Sequence, residues 1–265
     1  MTTSDSLKVE DGTRISYSVA GQGPWLILSN SLATDRSMWR PQLADLQERF
    51  KVLCYDTRGH GESGVSDADF GFDRLALDVI ALMDHLGIDR ARFMGLSLGG
   101  MTGLALALAH PDRIERIVCC DARADAPDAY KAMWDNNIAL AETGGMDAVA
   151  DGTIPRWFSS NFVSNPANAS LLSSVREMIL QTPANGYCRA ARCLQTLDLL
   201  RSLDQIKLPV QFIVGELDAA APLQVVQDMA DRVAGSKVHI IPGAAHLSNL
   251  EDPDAFLGTA LAELN

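Results

Sequence analysis

The sequence predicts an α/β fold: a mostly parallel sheet with helices on both faces and a helical insertion. Short apolar runs of strand length alternate with longer runs of helical spacing near both ends of the chain. Such alternation requires right-handed crossovers, and so parallel strands. Between them, residues 123–203 hold helix-like pieces and no strand-like run. The 265 residues, 47% of them hydrophobic and 21% charged, suffice for a sizeable core.

The elements follow in order. "LKVEDGTRISYSVAG" is two alternating runs joined at Asp11-Gly12, a hairpin. "WLILS" is a buried strand, "WRPQLADLQERF" a helix, and "KVLCYD" a second buried strand. "DRLALDVIALMDHLG" is an amphipathic helix ending at Gly87. "ARFMGL" is a strand, "LGGMTGLALALAH" a helix stopped by Pro111, and "IERIVCCD" a strand. After the insertion come the strand "VQFIVGE", the helix "PLQVVQDMADRVAG", the strand "KVHIIPG" and the final helix "DPDAFLGTALAEL". This divides the chain into an α/β core domain, 1–122 and 204–265, and a helical cap or lid, 123–203.

The formal net charge is −12, which disfavours nucleic acid and anionic membranes as partners. The first residues, "MTTSDSLKVEDG", lack the basic and apolar regions of a secretory leader. The longest apolar run, "MTGLALALA", is too short to span a bilayer. The five cysteines, Cys54, Cys119, Cys120, Cys188 and Cys193, form no CxxC pair. They read as reduced, mostly buried thiols of a cytoplasmic protein, and no Cys/His cluster has metal-ligand spacing.

Gly95-Leu96-Ser97-Leu98-Gly99 falls where a strand hands over to a helix. A serine on such a tight turn is pushed clear of the sheet, and it needs small neighbours two before and two after. The helix N-terminus aims N–H groups at developing negative charge. A serine hydroxyl also needs a base. His85 and His110 fall at helix ends, His239 within a strand and His60 in a glycine-rich turn. His246 lies in a small-residue loop after the last strand, on the same sheet edge as Ser97, and is the candidate base. Asp218, after "VQFIVGE", is the candidate acid that orients it, and the chain order Ser97, Asp218, His246 suits this arrangement. Asp121, ending "IERIVCCD" at the same edge, is a competitor that would replace or assist Asp218. The oxyanion donors expected are the N–H groups of Leu98 and of Leu32, with Asn30 and Ser31 holding the Leu32 loop.

These residues carry a resemblance. The sequence resembles the α/β-hydrolase superfamily over essentially its full length, and within it the 3-oxoadipate enol-lactone hydrolases of aromatic-acid catabolism. "LSNSLATDRSMWRPQ", "YDTRGHGES", "GLSLGGMTG", "DRIERIV", "PRWFSSNF" and "AHLSNLE" match that pattern. The resemblance implies an eight-stranded sheet with the cap after the sixth strand. It also implies a Ser97–Asp218–His246 triad and Leu32 and Leu98 as oxyanion donors. Two positions depart from the pattern. Asp121 stands where asparagine is expected, and Asn137, three after Trp134, stands where arginine is expected. Enol-lactones of this pathway carry a carboxylate, so a lost cap cation weakens their binding unless Arg123, Arg156 or Arg189 compensates.

The expectation is a serine hydrolase acting on a small lactone or carboxylic ester through an acyl-enzyme, without metal or organic cofactor. Trp134, Trp157 and Phe158 line or support its pocket, with Asp121, Arg123 and Arg156 as further pocket candidates. The alternatives are a carboxylesterase or lactonase for a less acidic substrate, and a non-catalytic binding protein that has kept the fold. The oligomeric state is not legible.

Overall fold

The computed structural model describes residues 4–264. The start of the N-terminal stretch, read above for a leader, lies outside them. One sheet of eight strands organises the chain, in the order β1-β2-β4-β3-β5-β6-β7-β8. β1 (Ser4–Lys8) and β2 (Arg14–Ala20) form the hairpin, closed through a five-residue loop in which Gly12 takes φ +86°. β2 pairs antiparallel with β4 (Lys51–Tyr55). β3 (Trp25–Ser29), β5 (Ala91–Leu96), β6 (Ile114–Cys120), β7 (Val210–Gly215) and β8 (Val238–Ile241) complete a parallel set with β4.

The central strands bury consecutive residues, because helices cover both faces and leave no polar side. α2 (Phe72–His85) buries Leu75, Val79, Leu82 and Met83 at helical spacing. α3 (Leu98–Ala109) is apolar all round, and each residue from Leu98 to Ala107 is buried. It packs against α2 and the strands β3, β5 and β6. α1 (Arg40–Arg49), α9 (Ser248–Glu251) and α10 (Pro253–Leu264) pack together, with α10 also against β6, β7 and β8. α8 (Leu223–Ala230) packs on β7 and β8 and is shorter than its sequence pattern suggests.

Between β6 and β7 lie α4 (Asp128–Trp157), α5 (Ser160–Ser164), α6 (Ala169–Gln181) and α7 (Ala184–Gln195), with no strand. The helix-like pieces "AYKAMWDNNIALAET" and "GMDAVADGT" at the start of this segment form one 30-residue run, broken where Gly145 leaves helical geometry at φ 69°, ψ −174°. α5 and α9, of five and four residues, went unrecognised because so short a run shows no period. No helix of the described residues is long and apolar enough to cross a membrane.

Strand order reverses at β3, with β4 on one side and β5 on the other. Open α/β sheets bind their ligands beyond the strand ends at such a point. The register sets Ser29 beside Gly95, Leu96 beside Cys120, and Cys120 beside Ile213. The segments that follow β3, β5, β6 and β7 therefore emerge at one edge.

Candidate active site

Three described non-glycine residues have left-handed φ angles: Ala33 at 55°, Ser97 at 54° and Asp121 at 48°. They follow β3, β5 and β6, so the backbone strain sits around one crevice. Each such residue costs about 1–3 kcal/mol and persists only where its surroundings enforce it. At Ser97 the enforcement is visible. Its N–H donates to the Cys120 carbonyl at 2.8 Å, and its own carbonyl accepts the Met101 N–H at 2.9 Å. A Cβ on Gly95 would lie 2.3 Å from the Gly99 carbonyl, and one on Gly99 would lie 2.3 Å from the Ser29 oxygen. The glycines flanking the serine are thus required by close backbone approach.

Ser97 Oγ lies 3.0 Å from His246 Nε2, and His246 Nδ1 lies 2.9 Å from Asp218 Oδ2. The other Asp218 oxygen accepts the N–H groups of Ala220 and Ala221 at 2.7 and 3.0 Å. A carboxylate so engaged fixes the imidazole proton on Nδ1 and leaves Nε2 to accept from the serine hydroxyl. All three residues are buried. Burial alone would lower the His246 pKa, but the charge and hydrogen bond of Asp218, aided by Asp121, raise it above its ordinary value. Arg156 acts in the opposite sense.

His60 is a poor rival base. It is fully buried, its Nδ1 lies 3.0 Å from the Arg58 carbonyl oxygen, and burial pushes its pKa down to about 4. Asp121 makes no hydrogen bond to His246 among the described residues. Its oxygens meet the Gly215 N–H and the Ser248 hydroxyl.

The Leu32 loop is held from within, as expected. Asn30 donates to the carbonyls of Ser31 and Thr34 and accepts from both the N–H and hydroxyl of Thr57. Among the described residues neither the Leu32 nor the Leu98 N–H has a hydrogen-bond partner in the chain, so two backbone donors remain free beside Ser97.

Ser97, His246, Leu32 and Asp121 line a cavity of about 100 Å³. Its walls are mainly apolar: Met101, Tyr130, Met133, Trp134, Trp157 and Leu194. A site of about 150 Å³ holds a benzene ring, so this smaller one suits a short acyl chain or part of a small ring. Trp157 tilts over His246 with ring centroids 6.3 Å apart. Phe158 is buried against Phe162, behind the wall.

Of the three compensating arginines, one reaches the cavity. Arg156 lines it and is exposed at its mouth, with Nε donating to the Gly152 carbonyl and no carboxylate partner among the described residues. Arg123 is a correction to the pocket expected from sequence. The carboxylate of Asp125 captures its guanidinium at 2.9 Å, and the Tyr130 ring takes its face at 4.4 Å. Arg189 turns outward to Asp69. Asn137 is not among the lining residues.

Tyr130 and Met133 were missed, although in "YKAMW" Tyr130 shares a helix face with Trp134 at i−4 and neighbours Met133 at i+3. Ser248 and Gly215 were missed because no spacing rule marks a residue that binds a neighbouring loop. All five cysteines are unpaired and buried. Among the described residues no group of three or more His, Cys, Asp or Glu side chains could hold a metal ion.

An eight-stranded sheet with a strained serine, a histidine and an aspartate on successive strand-end loops defines a hydrolase-type fold. The α/β hydrolase fold family model matches residues 24–253, and the chain belongs to that family. It is 34% identical over 254 residues to 3-oxoadipate enol-lactonase 2 of Acinetobacter baylyi, covering 95% of this chain and 93% of that one. The crystal structure of the enol-lactonase from Burkholderia xenovorans LB400 superposes with a TM-score of 0.93 at 38% identity, covering 98% of this chain and 99% of that one. A putative carbamate hydrolase, RutD, of Caulobacter sp. is 30% identical, covering 89% of this chain and 88% of that one.

Proposed function

We propose that this protein is a serine hydrolase that opens a small lactone or cleaves a small carboxylic ester, with 3-oxoadipate enol-lactone as the best-supported substrate. The observation that carries this reading is the Ser97–His246–Asp218 relay, with contacts of 3.0 and 2.9 Å in a small apolar cavity. Ser97 Oγ attacks the carbonyl carbon while His246 Nε2 takes its proton. The carbonyl oxygen becomes an oxyanion that the N–H groups of Leu32 and Leu98 receive. One such donor is worth about 10²–10³ in rate. Asp218 stabilises the imidazolium, which returns its proton to the leaving oxygen as the C–O bond breaks. His246 then takes a proton from water, and hydroxide attack frees the acid and restores Ser97. The helices of residues 123–203 act as a cap that shapes the pocket.

The enol-lactone assignment is supported by the relatives' activity and by Arg156, an unpaired cation at the cavity mouth that can meet a substrate carboxylate. Asn137 in place of a second cap cation favours the other reading, an esterase or lactonase for a less acidic substrate. Comparing kcat/KM on the enol-lactone with that on a neutral short-chain ester, with Ser97→Ala as blank, separates the two. The expected result is a preference for the enol-lactone of at least about tenfold, from the Arg156 ion pair. Rapid ester turnover with a silent enol-lactone overturns it.

A further inference from the structure

Asp121 is fully buried beside the triad and takes part in none of its hydrogen bonds. Its bonds go to the segments that carry the triad. Oδ1 accepts the Gly215 N–H at 2.8 Å, and Gly215 closes the turn to the acid, because the Asp218 N–H donates to its carbonyl at 3.1 Å. Oδ2 lies 2.5 Å from the hydroxyl of Ser248, two residues past the base His246. The Asp121 N–H donates to the Ile213 carbonyl, while the carbonyl before it, of Cys120, accepts the Ser97 N–H. One residue thus connects the nucleophile's turn, the acid's turn and the base's loop. It does so at φ 48°, a conformation that aspartate and asparagine tolerate better than most side chains.

We propose that Asp121 is a positioning residue for the hydrolytic centre: a buried clamp that locks the Asp218 turn and the His246 loop in register with Ser97 by hydrogen bonding. This rests on the hydrolase reading. Both side-chain hydrogen bonds of Asp121 are accepted ones, from the Gly215 N–H and the Ser248 hydroxyl. Among the described residues no lysine or arginine pairs with it, and the titratable groups facing it are Asp218 and His246 from the two loops and Cys119 and Cys120 on β6. Burial, and then the charge of Asp218, push its pKa well above the usual carboxylate range. An asparagine can replace it, with Oδ1 accepting from Gly215 and Nδ2 donating to Ser248.

The test is the pH dependence of Ser97 inactivation by a fluorophosphonate, per folded molecule, in wild type, Asp121→Ala, Asp121→Asn and Ser248→Ala. In this reaction Ser97 Oγ displaces fluoride from phosphorus while His246 takes the serine proton, so no assumption about the natural substrate enters. Asp121→Ala is expected to slow inactivation about 10–100-fold, the scale of an ångström-level misplacement, and Ser248→Ala by a smaller factor. In turnover assays the loss falls on kcat, with KM nearly unchanged. Asp121→Asn restores the rate above the acid limb to within about threefold of wild type, and the limb itself moves down because the Asp121 charge helps to raise the His246 pKa. Unimpaired inactivation of folded Asp121→Ala overturns the clamp. So does an Asp121→Asn whose rate above the acid limb falls as far as that of the alanine variant, because the residue would then act through its charge. Absence of labelling in the wild type overturns the hydrolase reading instead.

Discussion

The strand-end loops and the helical segment above them are built by different rules. At the strand ends Ser97, Asp121, Asp218 and His246 are buried and each has a fixed hydrogen-bond partner. On the helices α4, α6 and α7 the ion pairs lie at the surface, such as Arg176 with Asp147 and Asp151, or Arg192 with Glu142. The helical segment is joined to the loops beneath by a few polar ties. The Leu247 N–H donates to the Trp157 carbonyl, and Glu251 accepts from the N–H groups of both Ala245 and Ser159. The difference suggests that the reaction is written into the rigid edge, and the choice of substrate into a segment free to vary.

The largest effect that would break this comparison is at Ser97. Ser97→Ala should lower kcat by at least about 10⁴-fold with little change in fold, measured by turnover and by circular dichroism. A variant that kept substantial activity would move the chemistry out of the strand-end loops.

Stability should follow the same division. Arg58 is fully buried in a two-pronged pair with Asp78, its Nε and Nη2 at 2.6 and 2.7 Å from the two carboxylate oxygens. Arg58→Ala leaves the buried Asp78 carboxylate with only the longer Arg74 contact, at 3.4 Å, and should cost about 3 kcal/mol in denaturant unfolding. Arg176→Ala in the helical segment should cost no more than about 1 kcal/mol, because its pairs are solvated. Equal costs would mean that the two regions do not differ in the way described.

Arg156 sharpens the comparison on function. Arg156→Gln should lower kcat/KM on the enol-lactone about 10–100-fold, mostly through KM, and leave a neutral ester within about threefold. It also carries a pH signature. His246 must be neutral to act as base, so activity falls as pH drops through its pKa, which lies above the ordinary histidine value. The Arg156 charge holds that pKa down, so its removal should move the acid limb of kcat/KM for the neutral ester upward. A limb that stays in place would set Arg156 too far from His246 to meet a bound substrate.

How much of this was legible follows from what each residue answers to. Ser97, Asp218 and His246, which the structure brings together, were marked in the sequence by the glycine-flanked turn, by their places after strands and by their chain order. Arg123 misled because its partner, Asp125, lies two residues away, and sequence does not say which way a guanidinium turns. Tyr130 was recoverable from its helical phase with Trp134. The bridging bonds of Asp121 were not, because Gly215 and Ser248 lie 94 and 127 residues further along the chain. The α4 break at Gly145 was visible as Gly144-Gly145, though not the continuity of the run through it.

The smallest effect tests the joint between the two regions. Gly186, near the start of α7, meets Gly59 of the loop after β4 backbone to backbone. A Cβ on Gly186 would lie 2.5 Å from the Gly59 carbonyl oxygen, and one on Gly59 would lie 2.9 Å from the Gly186 Cα. Two effects oppose in Gly186→Ala. Helix propensity favours alanine by about 1 kcal/mol. Overpacking costs about 1–3 kcal/mol, and here the obstructing atoms are backbone, which cannot rotate away. The clash should win by about 1 kcal/mol, lowering the melting midpoint by about 2–4 °C. The displaced helix carries Leu194 into the cavity wall, so KM should rise while kcat holds. A higher midpoint would mean that α7 lifts freely from the core and that the joint is soft. A fall in kcat would mean that the helical segment also sets the geometry of the strand-end loops, and the division drawn between the two regions would fail.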